Sequence, residues 1–331
     1  MNASPCDVGI VVIGRNEGER LRRCLESLAS YHAVVVYVDS GSTDNSVELA
    51  KSLGAHAVEL DLAIGFTAAR ARNEGLELLL TILPKVEFVQ FVDGDCEVAP
   101  GWIQLAMSRL EGDPRLAAVC GRRRERFPNA SVYNRLCDIE WNTEVGIAKA
   151  CGGDVMFRTA PLEEVGRYDP LLIAGEEPEL CIRLRHAGWL VERVDAEMTI
   201  HDAAMFRFGQ WWRRAVRAGH AYAQGAAMYG RSPESHYVRQ LRSSLTWGAL
   251  LPIVATAFAW STSGFSLLIA LGLYLLLCVR VFLSSQRRLD PFSAYIYALN
   301  CIGAKFAETV GAAKYFVNQY RRKRSCLIEY K

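Results

Sequence analysis

The ten cysteines, Cys6, Cys24, Cys96, Cys120, Cys137, Cys151, Cys181, Cys278, Cys301 and Cys326, include no C-x-x-C pair. Their scatter argues against both a zinc ribbon and a disulfide framework, and the expectation is reduced thiols in a cytosolic setting. No P-loop is present, and the turn after the first strand-like run reads GRNEG, with charged Arg15 and Glu17 where a G-x-G-x-x-G turn would admit a pyrophosphate. Net charge is small, +2, and no basic stripe interleaved with aromatics occurs in the first two hundred residues, so nucleic acid is not an expected partner. The N-terminus, MNASPCDVGIVVIGRNEGE, has no basic region ahead of its short apolar run. A secretory signal is therefore not expected, and the amino-terminal part is placed in the cytoplasm. Internal repeats and low-complexity tracts are missing too, and the first composition change comes after about residue 230.

What is present is an alternation of short apolar runs with helical patterns, the signature of βαβ units around a mainly parallel sheet. Val8 to Ile13 reads as a strand, followed by a helix near Glu19 to Ser30 whose Leu21, Cys24, Leu25 and Leu28 recur at three- and four-residue spacing. Val34 to Val38 is the second strand, and Ser42 is expected to cap a helix that stops at Gly54. Val58 to Leu60 is a third strand, Thr67 to Leu79 a helix and Phe88 to Val92 a fourth strand.

Ligands of open α/β sheets sit at the carboxyl ends of the strands. Here the first strand is followed by Arg15, Asn16 and Glu17, the second by Asp39 and the run SGSTD, and the fourth by Asp93, Gly94 and Asp95. Asp, Ser and Gly are also ordinary turn formers. The stretch FTAARARNEG adds Arg70 and Arg72 beside Asn73 at a helix start, where cations and free backbone N–H groups together hold an anion such as a diphosphate. Two carboxylates one residue apart repel each other, and sharing a hard divalent cation relieves that repulsion.

The ordered motifs VVIGRNEGERLRRCLESL, VVVYVDSGSTDNSVELAKSLGA, FTAARARNEGL, FVQFVDGDCEVAPGWI, CGGDVMFRTAPLEEVGRYDP and GEEPELCIRLRHAGW resemble family 2 glycosyltransferases of the GT-A fold, over about residues 8 to 215. The resemblance implies inverting transfer of a sugar from a nucleotide-diphosphate donor to an acceptor hydroxyl, with a divalent metal, Mn²⁺ or Mg²⁺. It implies donor-binding roles for Arg15, Glu17, Asp39, Asp93 and Gly153, a metal held by Asp95 with Asp93 near the ribose or the metal shell, and a further metal ligand at His201. Glu177 stands where the catalytic base normally lies. Glu there replaces the usual Asp, which keeps Glu176 and Glu179 open as substitutes, with Gly152 beside the acceptor.

After residue 240 the chain turns apolar, and neither Leu245 to Thr262 nor Gly264 to Val279 contains a charge. A helical hairpin through the bilayer, about 245–283, is expected, with Arg239 and Arg242 before it and Arg280, Arg287 and Arg288 after it placing both ends in the cytoplasm. Tyr295, Leu299, Ile302, Phe306, Val310, Ala313 and Val317 then predict an amphipathic helix over about 293–320, lying on the membrane or on the hairpin. Arg321, Arg322, Lys323 and Arg324 would favour an anionic leaflet.

The expected organisation is thus an α/β GT-A domain over 1–230 and a helical membrane region over 231–331, at the inner (cytoplasmic) membrane. The expected acceptor is lipid-linked or part of a growing surface glycan. Transfer onto polyprenyl phosphate and a catalytically silent nucleotide-sugar-binding scaffold are the alternatives.

Overall fold

Nine strands are found among the described residues, 8–323, of the computed structural model. They are β1 (Val8–Gly14), β2 (Val34–Asp39), β3 (His56–Glu59), β4 (Phe88–Asp93), β5 (Cys96–Val98), β6 (Leu116–Glu125), β7 (Gly146–Ile147), β8 (Val155–Arg158) and β9 (Leu190–His201). The basic tail residue Arg324 and the thiols Cys6 and Cys326 lie outside the described residues.

One sheet results, in the order β3-β2-β1-β4-β8-β6-β9-β5, with β7 on β9. Strands β1 to β4 are parallel neighbours, β6 and β9 run parallel to each other, and β8 is inserted antiparallel between β4 and β6. Strands β1, β2 and β4 fall where their apolar runs predict, whereas β3, expected at Val58 to Leu60, begins two residues earlier and stops at Glu59. Val8, Ile10, Val11, Val12, Val36, Val38, Phe88 and Phe91 are buried with helices on both faces, as continuous apolar strands of a parallel sheet require. Register then fixes the functional edge, because Gly14 pairs with Asp39 and Ile13 with Asp93, bringing the ends of three strands to one level.

Two local findings refine the sequence reading. Thr67 caps the helix Ala68–Ile82 by accepting the Arg70 N–H. Ser42 does not cap a helix: the second helix starts later, at Ser46, and the Ser42 hydroxyl instead donates to Asp39. Asp39 already accepts the N–H groups of Gly41 and Ser42 at 2.9 and 2.7 Å, so the carboxylate folds the turn around itself.

The chain divides into two compact units, residues 1–127 with 138–203, and residues 128–137 with 204–331. The boundary expected near residue 230 therefore falls inside the second unit, because helix Phe208–Tyr229 packs against helix Pro291–Tyr320. The first hairpin arm, expected from Leu245, is a helical run from Val238 to Ala257 interrupted by a π turn at Thr246–Leu250. The second arm, Phe265–Ser285, has a mean hydropathy of 2.4 and is long and apolar enough to cross a membrane.

Helix Pro291–Tyr320 leaves most of the apolar stripe named above outward and turns small residues inward. Tyr295, Leu299, Val310 and Val317 are exposed, whereas Ala294, Ala298, Ala304, Ala307, Gly311 and Ala312 are buried. Small residues allow the two backbones to approach closely: a Cβ on Gly311 would stand 1.9 Å from the Val216 carbonyl oxygen, and one on Gly219 1.9 Å from that of Glu308. Gly311→Ala is expected to lower stability by about 2 kcal/mol through overpacking. Gly272→Ala, with nothing within 4 Å of the added methyl, should be neutral or stabilising. Thermal melts of the two variants in detergent check the contrast.

Candidate functional site

The edge carries a buried guanidinium with three carboxylates around it. Arg72 rises from helix Ala68–Ile82 with its side chain 2% exposed, its Nη2 3.0 Å from Asp93 Oδ1 and its Nη1 3.1 Å from Glu176 Oε1 and 3.2 Å from Glu177 Oε1. It also lies over the Tyr168 ring, 5.4 Å from the centroid. Its neighbours in sequence go elsewhere. Arg70 donates to the carbonyls of Asp61 and Ile64, and Asn73 clamps the backbone N–H and C=O of Tyr168. Arg70, Arg72 and Asn73, expected together around a diphosphate, thus bind three different parts of the protein, and Arg72 is an internal counter-ion.

Asp93 is gripped from two sides. Arg123 donates to its Oδ2 at 2.8 Å while Arg72 holds Oδ1. Burial alone would raise the Asp93 carboxyl, but the guanidinium groups of Arg123 and Arg72 outweigh it and hold the group well below the usual carboxylate range. Arg123 is fixed in turn by Asp154 Oδ2 at 2.8 Å, and Asp154 also accepts from the Thr199 hydroxyl at 2.6 Å and the Asp93 N–H at 2.9 Å. Register shifts in the β6–β9 pairing on either side of Arg122 bring Arg123 opposite Thr199.

Asp95 turns the other way. Its Oδ2 is 3.2 Å from His201 Nε2, which the pairing of Cys96 with His201 brings alongside, and the Cys96 thiol completes the group. Two ligands on one divalent ion at bonds of about 2.1–2.2 Å stand about 3 Å apart, so the separation suits a shared cation. Burial lowers His201 below its ordinary value, more than the Glu125 hydrogen bond raises it, which favours the neutral imidazole that binds metal. Trp141 packs edge-on against the ring at 4.6 Å. Asp93 belongs to a second group of ligand-type side chains, with Cys96 and Asp154.

Helix Glu176–His186 starts at Gly175, whose φ of 81° is readily adopted by glycine, and offers three glutamates in its first turn. Glu179 is closed by Arg183 at 2.7–3.1 Å, and Glu176 is buried against Arg72. Glu177 keeps 16% of its side chain accessible. Burial pushes its carboxyl up to about 7, the neighbouring Glu176 adds to the rise, and Arg72 opposes it. Gly153 is pressed onto the same cluster, since a Cβ there would stand 2.4 Å from Arg72 Nη2 and 2.9 Å from Asp93 Oδ2. Gly152 faces open space. Across the edge, Arg15 donates to the Gly41 carbonyl at 3.3 Å and stacks on Phe66, and Glu17 pairs with Arg20 at 2.9 Å.

Arg123, Asp154, Thr199 and Glu125 were not singled out by sequence. Asp154 directly follows the CGG motif and was the one available signal; Arg123 is hidden in the run GRRRER.

Residues 9–159 match the family model described as glycosyl transferase family 2. The chain is 26% identical over 212 residues to a pre-mycofactocin glycosyltransferase of Mycobacterium tuberculosis, covering 59% of this chain and 43% of that protein. It is 31% identical over 118 residues to the uncharacterized glycosyltransferase YibD of Escherichia coli, covering 34% and 33%. The chain thus spans less than half the length of these curated relatives. A mannosyltransferase from Pyrobaculum calidifontis, solved with GDP-Man and Mn²⁺, superposes with a TM-score of 0.56 at 17% identity, covering 95% of this chain and 88% of that one, which is a likeness of fold.

Two outcomes follow from the packing and charge. Gly153→Ala should force Arg72 and Asp93 apart and cost about 1–3 kcal/mol, whereas Gly152→Ala should leave the melting temperature unchanged; denaturant titration distinguishes them. Glu177, at about 7 when folded against a model value of 4.5, holds a proton that the unfolded chain has already lost. It therefore costs stability increasingly between those values and by a constant amount above them. Glu177→Gln is expected to raise Tm by about 2–6 °C at pH 8 and to leave it unchanged at pH 4.5, measured by calorimetry at both.

Proposed function

Because residues 9–159 belong to glycosyl transferase family 2, we propose that the protein is an inverting, metal-dependent glycosyltransferase. It moves a sugar from a nucleotide-diphosphate donor to an acceptor hydroxyl. The observation that carries this reading is the meeting at one sheet edge of a metal-suited pair, Asp95 with His201, and a partly accessible carboxylate raised to about 7, Glu177. A general base works best when its pKa lies near the operating pH.

Glu177 accepts the proton of the acceptor hydroxyl as that oxygen bonds to the anomeric carbon and the bond to the diphosphate breaks on the opposite face. Asp95 and His201 would hold the divalent cation, which when bound would neutralise charge on the departing diphosphate. Asp93, with both oxygens held by arginines, orients the strand end rather than binding the ion. Gly153, without a side chain, lets Arg72 and Asp93 close up beneath the site. Arg15, Glu17 and the Asp39 turn form the nucleoside side of the site, where a purine or pyrimidine ring stacks against the Arg15–Phe66 pair. Glu176 and Glu179 act through packing and charge.

The second unit supports a membrane-bound reading. The 21-residue helix Phe265–Ser285 is 6% buried over its most apolar stretch, and the exposed apolar face of helix Pro291–Tyr320 adds to it. A chain with its own lipid-facing module acts on acceptors at the inner membrane, carried on a lipid or a growing surface glycan, with the sugar donor drawn from the cytoplasm.

Thermal stabilisation of the detergent-purified protein by nucleoside diphosphates with Mn²⁺ or Mg²⁺ tests the donor site, because a ligand that binds only the folded state raises apparent stability. The expected outcome is stabilisation by one nucleotide class, lost in Asp95→Ala. In Glu177→Gln binding should persist while turnover of the sugar donor falls about 10²–10⁴-fold. Full turnover by Glu177→Gln would remove the base assignment, nucleotide binding without turnover in the unaltered protein would favour a silent nucleotide-sugar-binding scaffold, and no response to any nucleotide would remove the donor site.

A further inference from the structure

Two thiols meet between the loop that carries Gly153 and the helix that carries Glu177. Cys151 Sγ and Cys181 Sγ lie 3.5 Å apart, in van der Waals contact, and Cys181 is four residues, about one turn, beyond Glu177. Cys181 is buried, whereas Cys151 is half-buried and open to a small reagent. The loop before Gly153 is tied at Ala148, whose N–H donates to the Val191 carbonyl at 2.8 Å, and at Lys149, whose carbonyl accepts from Arg185. It is tied again at Asp154 through Arg123 and Thr199. Between these anchors Gly152 has empty space around it and the backbone freedom of glycine.

We propose that Cys151 and Cys181 form a reversible disulfide that switches the transferase site off, a role that rests on the catalytic reading above. The oxidant is a small-molecule disulfide such as oxidised glutathione. The Cys151 thiolate attacks one sulfur of the reagent, forming a mixed disulfide and expelling one glutathione thiolate. The Cys181 thiolate then attacks Cys151 Sγ and expels the second glutathione. Two protein thiols are oxidised, one disulfide is reduced to two thiols, and the protein protons pass to the departing thiolates. Cys151 takes the first step as the more accessible thiol, although its contact with Cys181 and burial raise it above its ordinary value, and Cys181 Sγ, 3.5 Å away, stands within reach for the second.

Closure to a bond of about 2.05 Å requires the sulfurs to approach by roughly 1.5 Å. The loop yields at Gly152 and draws Gly153 toward helix Glu176–His186. Gly153 has no slack, because it already stands against Arg72 and Asp93. A displacement of about 1 Å in a catalytic arrangement costs on the order of 10²-fold in rate.

The full-length, detergent-purified protein is reduced, exposed to oxidised glutathione, alkylated, digested and mapped by mass spectrometry. The expected product is a peptide pair joining Cys151 to Cys181, lighter by two hydrogens than the separate peptides. Donor turnover should fall about 10²-fold and return with dithiothreitol. Cys151→Ser should keep its turnover under the same oxidant, and Cys120→Ser, which alters a third thiol close enough to influence Cys181, should still be inhibited. A peptide map without the 151–181 link, a link from Cys120 to Cys181 instead, or inhibition that persists in Cys151→Ser would overturn the proposal. Were the reduced protein to turn over no donor at all, the transferase reading would fail, while the peptide map would still decide the disulfide.

Discussion

The site in the first unit depends on one buried cation. Moving a guanidinium out of water costs several kcal/mol unless partners replace its hydration, and Arg72 meets that requirement with carboxylates from two elements, Asp93 at the end of β4 and Glu176 and Glu177 at a helix start. The dependence is mutual. Three carboxylates so close together repel one another, and without Arg72 at least one would take up a proton or move away. Because a single cation is shared by three anions, it cannot fully compensate all of them. The remainder appears at Glu177, whose carboxyl is raised to about 7 despite its contact with Arg72. A group poised to take a proton near neutral pH thus arises first from burial, with the repulsion of Glu176 adding to it and Arg72 offsetting only part of the two.

A second cation explains why the two aspartates of DGD diverge. Arg123 neutralises Asp93 from the β6 side and is itself held by Asp154, a residue with no exposed surface that ties together Asp93, Arg123 and Thr199. With its charge already balanced twice, Asp93 has little left to offer a metal ion. Asp95 faces His201 instead, in a neighbourhood where burial favours the neutral imidazole. The paired carboxylates are therefore divided between positioning and ligation by their neighbours, and this division survives only while β6 keeps the irregular register that presents Arg123 beside Thr199.

The legible part of the sequence is the part governed by local rules. Strands β1, β2 and β4 show because each is an apolar run that ends in polar residues, and Asp39, Asp93 and Asp95 could be assigned to one edge because parallel strands deliver their carboxyl ends together. His201 entered through the family resemblance, and the fold puts it at the last residue of β9. Arg123 was not, since RRRE at the end of β6 reads as a solvated basic run, and only a register shift against β9, some seventy residues away, brings it inside. Arg72 was read as a cation at the edge facing an anionic ligand, and the fold sets it against Asp93, Glu176 and Glu177. A helix-start arginine looks like an anion site until the fold supplies Glu176 and Glu177 from a hundred residues farther on. The choice among the three glutamates likewise required the fold, because spacing treats them alike and only Arg183 and burial separate Glu179 and Glu176 from Glu177.

The second unit follows the opposite packing rule. In water, large apolar side chains seek the interior and a helix is read from that stripe. In helix Pro291–Tyr320 the interior is lined by alanine and glycine, which permit close backbone approach, and by a polar junction in which Glu308 accepts from Ser244 and Lys305 at 2.5 and 2.8 Å. Trp211 Nε1 donates to Asn300 at 2.7 Å in the same unit. Tyr295, Leu299, Val310 and Val317 face outward. Large residues outside with small and hydrogen-bonding residues inside is the arrangement expected where the surrounding solvent is hydrocarbon, because apolar side chains then gain nothing by leaving it while unpaired polar groups lose a great deal. The same reasoning accounts for Phe265–Ser285, in which Ala270 is the single buried residue. Leu267, Leu268, Leu271, Leu275 and Leu276 are exposed along it, a cost in water that the proposed lipid setting would remove.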